Sequence, residues 1–453
     1  MSFIRKIKKK SGIYLAEVRG YRENGKVKQQ VIKYLGKEIN GKVVKKVNSN
    51  TIEVKHVKQS LDILCIKKMI EELKLDSIED KKILALVYSQ LLENKSINKL
   101  EEWFRFTEIP EILGIGEITS TELYNSINNF KDVNFEKIET DLHNIFSNLE
   151  TEKTCAIIDV TDTYFEGDSR NEKPRKGKDG KVCKLAQFGL AVTLKHGFPV
   201  LHNTYQGNLS DINIFKDMTL KLKEKGMDSI IVDRGMTSEE NLDIILTEEM
   251  TIISGIRKNE KLFKDYISQI KREEIFSLKN RVVLKNTKVY IKSFDYKKGK
   301  LIVVYNPEIE LAKREEAFDQ KIDENKGYGY SLVYNNTSLS DEIAVKRYYE
   351  KDTVERAFKK IKGILNLRPV RCWLQDNVES HFKICFLAYA ILSYIEYKLQ
   401  KINTSAIEAL ESLKYGYKVR LKDDTNKHEW DLYVPLQPKQ KNILKRLGVV
   451  YKK

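Results

Sequence analysis

Three carboxylates in this 453-residue chain stand where a polypeptide can aim them. Asp159 directly follows the apolar run Cys155-Ala156-Ile157-Ile158, and Asp233 directly follows Ser229-Ile230-Ile231-Val232. Each run reads as a buried strand, so both acids are expected at the C-terminal ends of strands. The third, Glu355, falls in a stretch with helical spacing from about residue 340 to 365. On a wheel of about 100° per residue counted from Tyr348, Lys351, Glu355 and Lys362 fall at about −60°, −20° and −40°, so the four side chains share one narrow stripe. Val354, Phe358, Ile361 and Leu365 fall at about −80° to −140° and form an adjoining apolar stripe that faces a core. Oxygen donors on rigid strands and a helix suit hard divalent cations. Two such ions about 3.5 to 4 Å apart serve hydrolysis or transfer at a phosphodiester, by binding its oxygens and stabilising the attacking and leaving groups. For the helix alone, a carboxylate between lysines is most often a surface ion pair worth under about 1 kcal/mol. The two strand-end acids change that balance. Asp162 is a rival to Asp159, which is preferred because it comes straight off the strand.

The remaining sequence has to position these groups. After the first strand, Phe188-Gly189-Leu190-Ala191-Val192 leads through a turn around Gly197-Phe198-Pro199 into Val200-Leu201, which reads as a hairpin. Helical spacing from Ile212 to Leu222 precedes the second acid-bearing strand. Thr237 and Glu240 have the spacing of a capping box for a helix to about Thr247, and Thr251-Ile252-Ile253-Ser254 resumes the strand pattern. From about 258 to 330 β-type runs (281–284, 289–291, 301–305) alternate with lysines and read as an inserted β domain. Tyr330-Ser331-Leu332-Val333-Tyr334 then returns to the core. At the other end of the chain, Ile13-Tyr14-Leu15 and Val31 to Leu35 flank Asn24-Gly25, a favoured dipeptide of tight hairpin turns. Between about Val54 and Leu149 the pattern is helical, starting with Leu61, Cys65, Met69 and Leu73 on one face. Trp103 and Phe104 there fit a core better than a base-stacking role.

Length and charge bound the function. A chain this long divides into two to four domains. Apolar residues at 41% and charged ones at 32% fit a globular protein with a strongly solvated surface. Lysine and arginine exceed aspartate and glutamate, 81 against 65, which makes nucleic acid the leading partner. Residues 1–46 concentrate the excess, with 14 Lys or Arg against 3 Glu. A solvated lysine face gives the same count. The loop Arg170 to Lys184, with seven basic residues against two acids, is open to the same two readings. Five widely spaced cysteines (Cys65, Cys155, Cys183, Cys372, Cys385) resemble neither a disulfide framework nor a Cys-x-x-Cys zinc site. They fit a reducing cytoplasm. The start of the chain has no apolar signal region, and no apolar run reaches the ~18 residues of a spanning helix, so neither export nor a membrane anchor is indicated.

Together, Ile158-Asp159-Val160-Thr161 with Tyr164-Phe165-Glu166, Val232-Asp233-Arg234-Gly235-Met236 with Ser238, and Tyr348-x2-Lys351-x3-Glu355-x6-Lys362 resemble the DDE transposases of bacterial insertion sequences. The branch they are most similar to is insertion-sequence family 4, with its Tyr-Arg-Glu-Lys signature. Gly207-Asn208, Arg368-Pro369-Val370 and Phe386-Leu387-Ala388 sit where that branch has lesser blocks, and the likeness covers about Cys155 to Leu399. The resemblance implies an α/β chain with an RNase H-like catalytic core, an inserted β-rich domain and an N-terminal β plus helical DNA-binding region. The expected divisions are a basic β-rich module (1–50), a helical DNA-binding region (51–150), a first core segment (151–257), the β insertion (258–328), a second core segment with the catalytic helix (329–400) and a basic C-terminal tail (401–453). It further implies two Mg²⁺ ions, replaceable by Mn²⁺, on Asp159, Asp233 and Glu355, with Tyr348, Lys351 and Lys362 on DNA phosphates. Expected partners are element ends and target DNA, with a homodimer in the synaptic complex, no membrane, and a bacterial cytoplasm or nucleoid as the setting. The expected reaction is cleavage of a strand at each element end and in-line attack by the freed 3′-OH, giving cut-and-paste movement of the element. Lys351 departs from the signature, since lysine keeps the charge of arginine but not its bidentate fork. If a base is flipped during excision, Tyr290, Phe294 or Tyr296 is the expected stacking partner, because Trp103, Trp373 and Trp430 all lie outside the insertion. Two competing readings are an RNase H-like nuclease without strand transfer and a catalytically silent DNA-binding descendant of a transposase.

Overall fold

A computed structural model describes residues 2–9, 12–23, 25–39, 42–44, 52–93, 95–150, 155–164, 175–176, 182–183, 185–207, 209–258, 261–284, 287–320, 327–364, 375–423 and 428–451. The chain divides into two compact units. One comprises residues 1–58 and 416–436, and the other 59–415 and 437–452.

The larger unit is built on a mixed nine-stranded sheet. Its strands in chain order are β1 (Cys155–Tyr164), β2 (Leu185–Thr193), β3 (Pro199–Gln206), β4 (Ser229–Val232), β5 (Thr251–Ile256), β6 (Arg281–Leu284), β7 (Thr287–Tyr296), β8 (Gly299–Tyr305) and β9 (Tyr330–Asn335). Across the sheet they run β3-β2-β1-β4-β5-β9-β8-β7-β6. The first three form an antiparallel meander, while β4 lies parallel to both β1 and β5. Where β1, β4 and β5 run parallel, Ala156–Ile158, Ile230–Val232 and Ile252–Ile253 are all buried, as in a sheet covered on both faces. One face carries α1 (Asp211–Glu224) and α2 (Glu239–Thr247), whose Ile214, Phe215, Met218, Leu222, Leu242 and Ile245 pack on Ile158, Val232 and Ile252. The helix expected from a capping box at Thr237 starts one residue later, with Ser238 Oγ accepting from the N–H of Asn241. The other face carries α3 (Asp341–Tyr349), α4 (Asp352–Lys359) and α5 (Gln375–Leu399).

Three expected divisions fold otherwise. The β-rich stretch is not a separate domain by its pairing: β6, β7 and β8 are hydrogen-bonded in line onto β9 and extend the core sheet. A period-2 pattern reports strands but not the sheet edge they join. The helical region opens with a strand, Ile52–Gln59, and its helices then pack against α5 within the same unit as the sheet. Leu61, Cys65, Met69 and Leu73 are all buried there, as are Trp103 and Phe104. Glu139, on the helix Phe135–Ser147, is buried with His202 of β3 (Nδ1 to Oε1, 2.7 Å) and Lys225 (3.5 Å). The C-terminal stretch is no tail. Its strands Tyr417–Asp423 and His428–Tyr433 pair in a sheet with Ile52–Gln59, and its helix Pro438–Leu447 belongs to the larger unit. The segment Asn377–Ile402 is long and apolar enough to cross a membrane, but 83% of its most apolar window is buried in this protein, as befits a helix surrounded by others. Cys65 and Cys385 are buried thiols.

In the smaller unit, Ser2–Lys9, Gly12–Glu23, Lys26–Ile39 and Lys42–Val44 form an antiparallel four-stranded sheet in sequence order. Glu23 pairs with Lys26, so the expected turn at Asn24-Gly25 closes the central hairpin, and Gly25 adopts φ +77°. That left-handed backbone is open to glycine at no steric cost. Asn24 itself is outside the described residues, as are most of Arg170 to Lys184, Asn208, Phe165-Glu166, Leu365 and Arg368-Pro369-Val370.

Candidate active site

The parallel register between β1 and β4 ends with Val232 opposite Ile158, so the next residue of each, Asp233 and Asp159, stands at the same level. Ile158 and Val232 point into the core beneath α1 and α2. Strand alternation therefore turns both acids to the other face. Asp233 keeps an extended backbone (φ −75°, ψ 157°) as it leaves the strand. Asp159 is half-buried and its Oδ1 accepts from the N–H of Val160 at 2.8 Å. Asp162, the rival, lies on the opposite face with Ile158 and Val160 and is buried.

Over Asp233 lies the end of α3. The buried Tyr348 hydroxyl donates to Asp233 Oδ1 at 3.4 Å, and the Lys351 ammonium pairs with the same oxygen. Lys351 Nζ also stands 5.0 Å from the centre of the Tyr348 ring. Burial pushes the Asp233 carboxyl up, but the hydrogen bond and charge of Lys351, with the backbone and charge of Arg234, outweigh it and hold the group below its ordinary value. The Tyr348 phenol is pushed up, by burial first and then by the Asp233 charge. Val232 is level with Ser254 on β5, which brings Gly255 level with Asp233. A Cβ on Gly255 would collide with the Tyr348 hydroxyl and crowd Arg234. The absence of a side chain there is what lets Tyr348 lie against the sheet.

Glu355 projects from α4 and is exposed, while Val354, Ala357 and Phe358 beside it are buried. The Phe358 ring meets Phe188 edge-on, 6.3 Å between centres, and Phe188 is paired with Thr161 on the face that carries Asp159. The helix of Glu355 thus crosses β1 and β2 on the side of both aspartates. The single wheel from Tyr348 to Lys362 does not hold. The helix breaks at Glu350–Lys351, where Lys351 N bonds back to Tyr348 O (3.4 Å), and it widens to a π-turn over Lys360–Ile364. Tyr348 and Glu355 belong to different helices, because apolar periodicity registers neither a tightened nor a widened turn. The side chain of Lys362 lies outside the described residues. Among the described residues no three His, Cys, Asp or Glu side chains stand close enough to share a metal ion. What is present is an oxygen-only set of two level aspartates, one of them kept ionised and already facing a cation, Lys351. That donor chemistry fits a hard divalent ion.

Sequence reasoning missed three contributors. Gly255 carries no signal beyond being a glycine inside a strand, which does mark close approach. Arg257 directly follows β5 and holds the turn after Asp233, its Nε donating to Arg234 O at 3.2 Å and its Nη2 to Gly235 O. Lys258 beside it has its ammonium value lowered, by burial and then by the charges of Arg234 and Lys313. These side chains form a cationic edge beyond the aspartates. The three aromatic candidates for stacking on a base are engaged elsewhere. Tyr290 packs on Phe276 at 4.5 Å, and Phe294 and Tyr296 pack on Tyr266 at 5.3 and 6.3 Å.

Residues 150–391 match the family described as Transposase DDE domain, which is more than half of the chain. The chain belongs to the DDE transposases. The span that marks this transposase as a family member holds Asp159, Asp233, Tyr348, Lys351 and Glu355, and it leaves out the basic N-terminal module and the C-terminal hairpin. No curated protein matches the sequence. Among solved structures, the chain is similar to one described as a cryo-EM structure of piggyBac transposase synaptic complex with hairpin DNA. That likeness has 11% identity and a TM-score of 0.44 and covers 78% of this chain and 79% of the other, too loose to align side chains.

Proposed function

We propose that this transposase binds the ends of a bacterial insertion sequence of the family 4 group and cuts and joins DNA there, with Asp159, Asp233 and Glu355 as its metal-binding acids. The carrying observation is the level pair Asp159 and Asp233 on adjacent strands of a mixed sheet read as RNase H-like, with Tyr348 and Lys351 gathered on Asp233. Two Mg²⁺ ions, or Mn²⁺ in their place, would supply charge stabilisation at the attacked phosphate. Asp159 and Asp233 would hold them from the rigid sheet, and Glu355 would complete one site from the edge of α4. Lys351, Tyr348, Lys362 and the cationic edge of Arg234, Arg257 and Lys258 would hold phosphates and fix the register of the strand without reading its sequence. In the first step water adds in line to phosphorus as the bond to the 3′ oxygen breaks, leaving a 3′-OH and a 5′-phosphate. In the second that 3′-OH attacks another phosphodiester, so one P–O bond forms as one breaks.

One observation favours a second reading, a catalytically silent DNA-binding descendant: Lys351 is seated on Asp233 where a divalent cation would go. A cleavage and strand-transfer assay separates the two. Purified protein, Mg²⁺ and end-labelled duplexes carrying the DNA that flanks its own coding sequence should give nicked and joined products. Binding without either product would establish the silent reading.

A further inference from the structure

The central hairpin of the N-terminal sheet is longer than the strands beside it. Pairing of Ser2–Lys9 with the hairpin stops at Ser2 opposite Arg19, and pairing of Lys42–Val44 with it covers only Lys37 to Ile39. From Gly20 to Gln29 the hairpin is therefore a two-stranded ribbon, with no third strand on either edge among the described residues. Its residues Arg19 to Glu23 and Gly25 to Gln30 are exposed throughout. Such a ribbon has nothing to bury and is marginal in water without a partner.

Its side chains sort by register onto two faces. Arg19, Tyr21, Glu23, Lys26, Lys28 and Gln30 share one, and Gly20, Arg22, Val27 and Gln29 the other. Four cations stand against one anion, Glu23, which is paired with Lys28 at 2.6 Å. Tyr21 and Val27 are exposed as well, at 43% and 69%. From Gly20 to Glu23 the ribbon projects by about 10 Å at ~3.3 Å per residue. The major groove of a DNA duplex is about 8.5 Å deep and about 12 Å wide and admits a two-stranded β-ribbon. Arginine and glutamine are the side chains that grip guanine and adenine edges there. Arg22 and Gln29 supply both types on one face of the ribbon, where Gln29 Oε1 also accepts from Arg5 Nη1 at 2.6 Å, and the lysines supply phosphate contacts.

We propose that the ribbon Gly20–Gln29 is the element that enters the major groove of the DNA end, with the face of Arg22 and Gln29 against base edges. This rests on the end-binding reading above and names the reading element within it. The test replaces Tyr21–Lys28 with Asn-Gly, which keeps Gly20 opposite Gln29, and adds a full-length double variant, Arg22→Ala with Gln29→Ala. Thermal unfolding checks that both fold. The probe is the flanking-DNA duplex against a scrambled duplex, read by binding titration, by dimethyl sulfate protection of guanine N7, and by oligomeric state without DNA. The wild type should protect guanines in the flanking duplex. Both variants should lose that protection and at least tenfold of the preference for it, while keeping weak binding to the scrambled duplex. A wild type with no preference overturns the end-binding reading itself. A wild type with preference, together with a shortened variant that keeps both preference and protection, overturns the ribbon proposal alone. So does a shortened variant that changes its oligomeric state without DNA while its preference stays intact, since the ribbon edge would then be pairing with a second copy.

Discussion

At the scale of single residues, the site turns on what gathers around Asp233. Lys351 contributes a point charge where the signature of the proposed family 4 group has a fork, so Lys351→Arg should keep strand transfer and Lys351→Ala should weaken it by an order of magnitude or more. Strand-transfer rates of the two purified variants check this, and normal transfer by the alanine variant would remove Lys351 from the phosphate-binding set. Gly255→Ala tests the close approach of Tyr348. The added methyl meets the Tyr348 hydroxyl and the Arg234 side chain, so the ring must lift away from Asp233. Cleavage should fall at least tenfold, with stability reduced by about 1 to 3 kcal/mol, the ordinary cost of overpacking. Equal cleavage by Gly255→Ala and wild type would show that this approach is irrelevant to the chemistry.

At the scale of elements, the apolar runs before Asp159 and Asp233 were legible because buried parallel strand segments are apolar, and β4 falls where the run Ser229 to Val232 places it. The first strand, expected to end at Asp159, instead continues to Tyr164 by pairing antiparallel with β2. Helix starts were legible to within a residue: the helix read from Ile212 begins at Asp211 behind a Ser210 cap, and the one read from a cap at Thr237 is capped by Ser238. What was not legible depends on tertiary neighbours: the break at Glu350–Lys351, the π-turn after Lys359, the joining of β6, β7 and β8 to the core sheet, and the role of Gly255. The strand Ile52–Gln59 was hidden because its partners, Tyr417–Asp423 and then His428–Tyr433, are more than 350 residues away in sequence. The first helix that follows, Leu61–Glu72, carries a buried carboxyl at its start. Asp62 accepts from the side chain of Gln59 and, at 2.9 Å, from Ile63 N. Burial dominates and pushes its carboxyl from 3.8 up to about 6, against the opposing pull of these hydrogen bonds and of the Lys414 charge. A group raised on folding contributes stability that is full below its unfolded value and lost as pH rises through its folded one. Asp62→Asn removes that loss, so the stability of the variant relative to wild type should rise between about pH 4 and pH 6 and then level off. Melting temperatures of both proteins across that range check it. A difference that does not change with pH would show that Asp62 does not titrate there.

At the scale of the whole molecule, the basic module and the catalytic unit are separate compact bodies, and the boundary falls at Lys58–Gln59. A truncation at residue 150, the limit suggested by the helical pattern, would strip buried helices from α5 and expose its apolar surface. One that removes residues 1–58 leaves the larger unit complete. It should abolish preference for element ends but spare weak, salt-sensitive binding, because the remaining basic surface still releases counterions from any duplex. Titrations against end and scrambled duplexes at several salt concentrations check this, and undiminished preference would move recognition into the larger unit. The central claim is that Glu355, exposed on α4, joins Asp159 and Asp233 in cutting DNA. The most direct measurement is cleavage of a labelled flanking-DNA duplex by Glu355→Gln beside the wild type in Mg²⁺, with binding of the same duplex and thermal unfolding measured on the same samples. The expected result is binding and stability like the wild type with cleavage abolished. Cleavage at the wild-type rate by the glutamine variant would contradict the account.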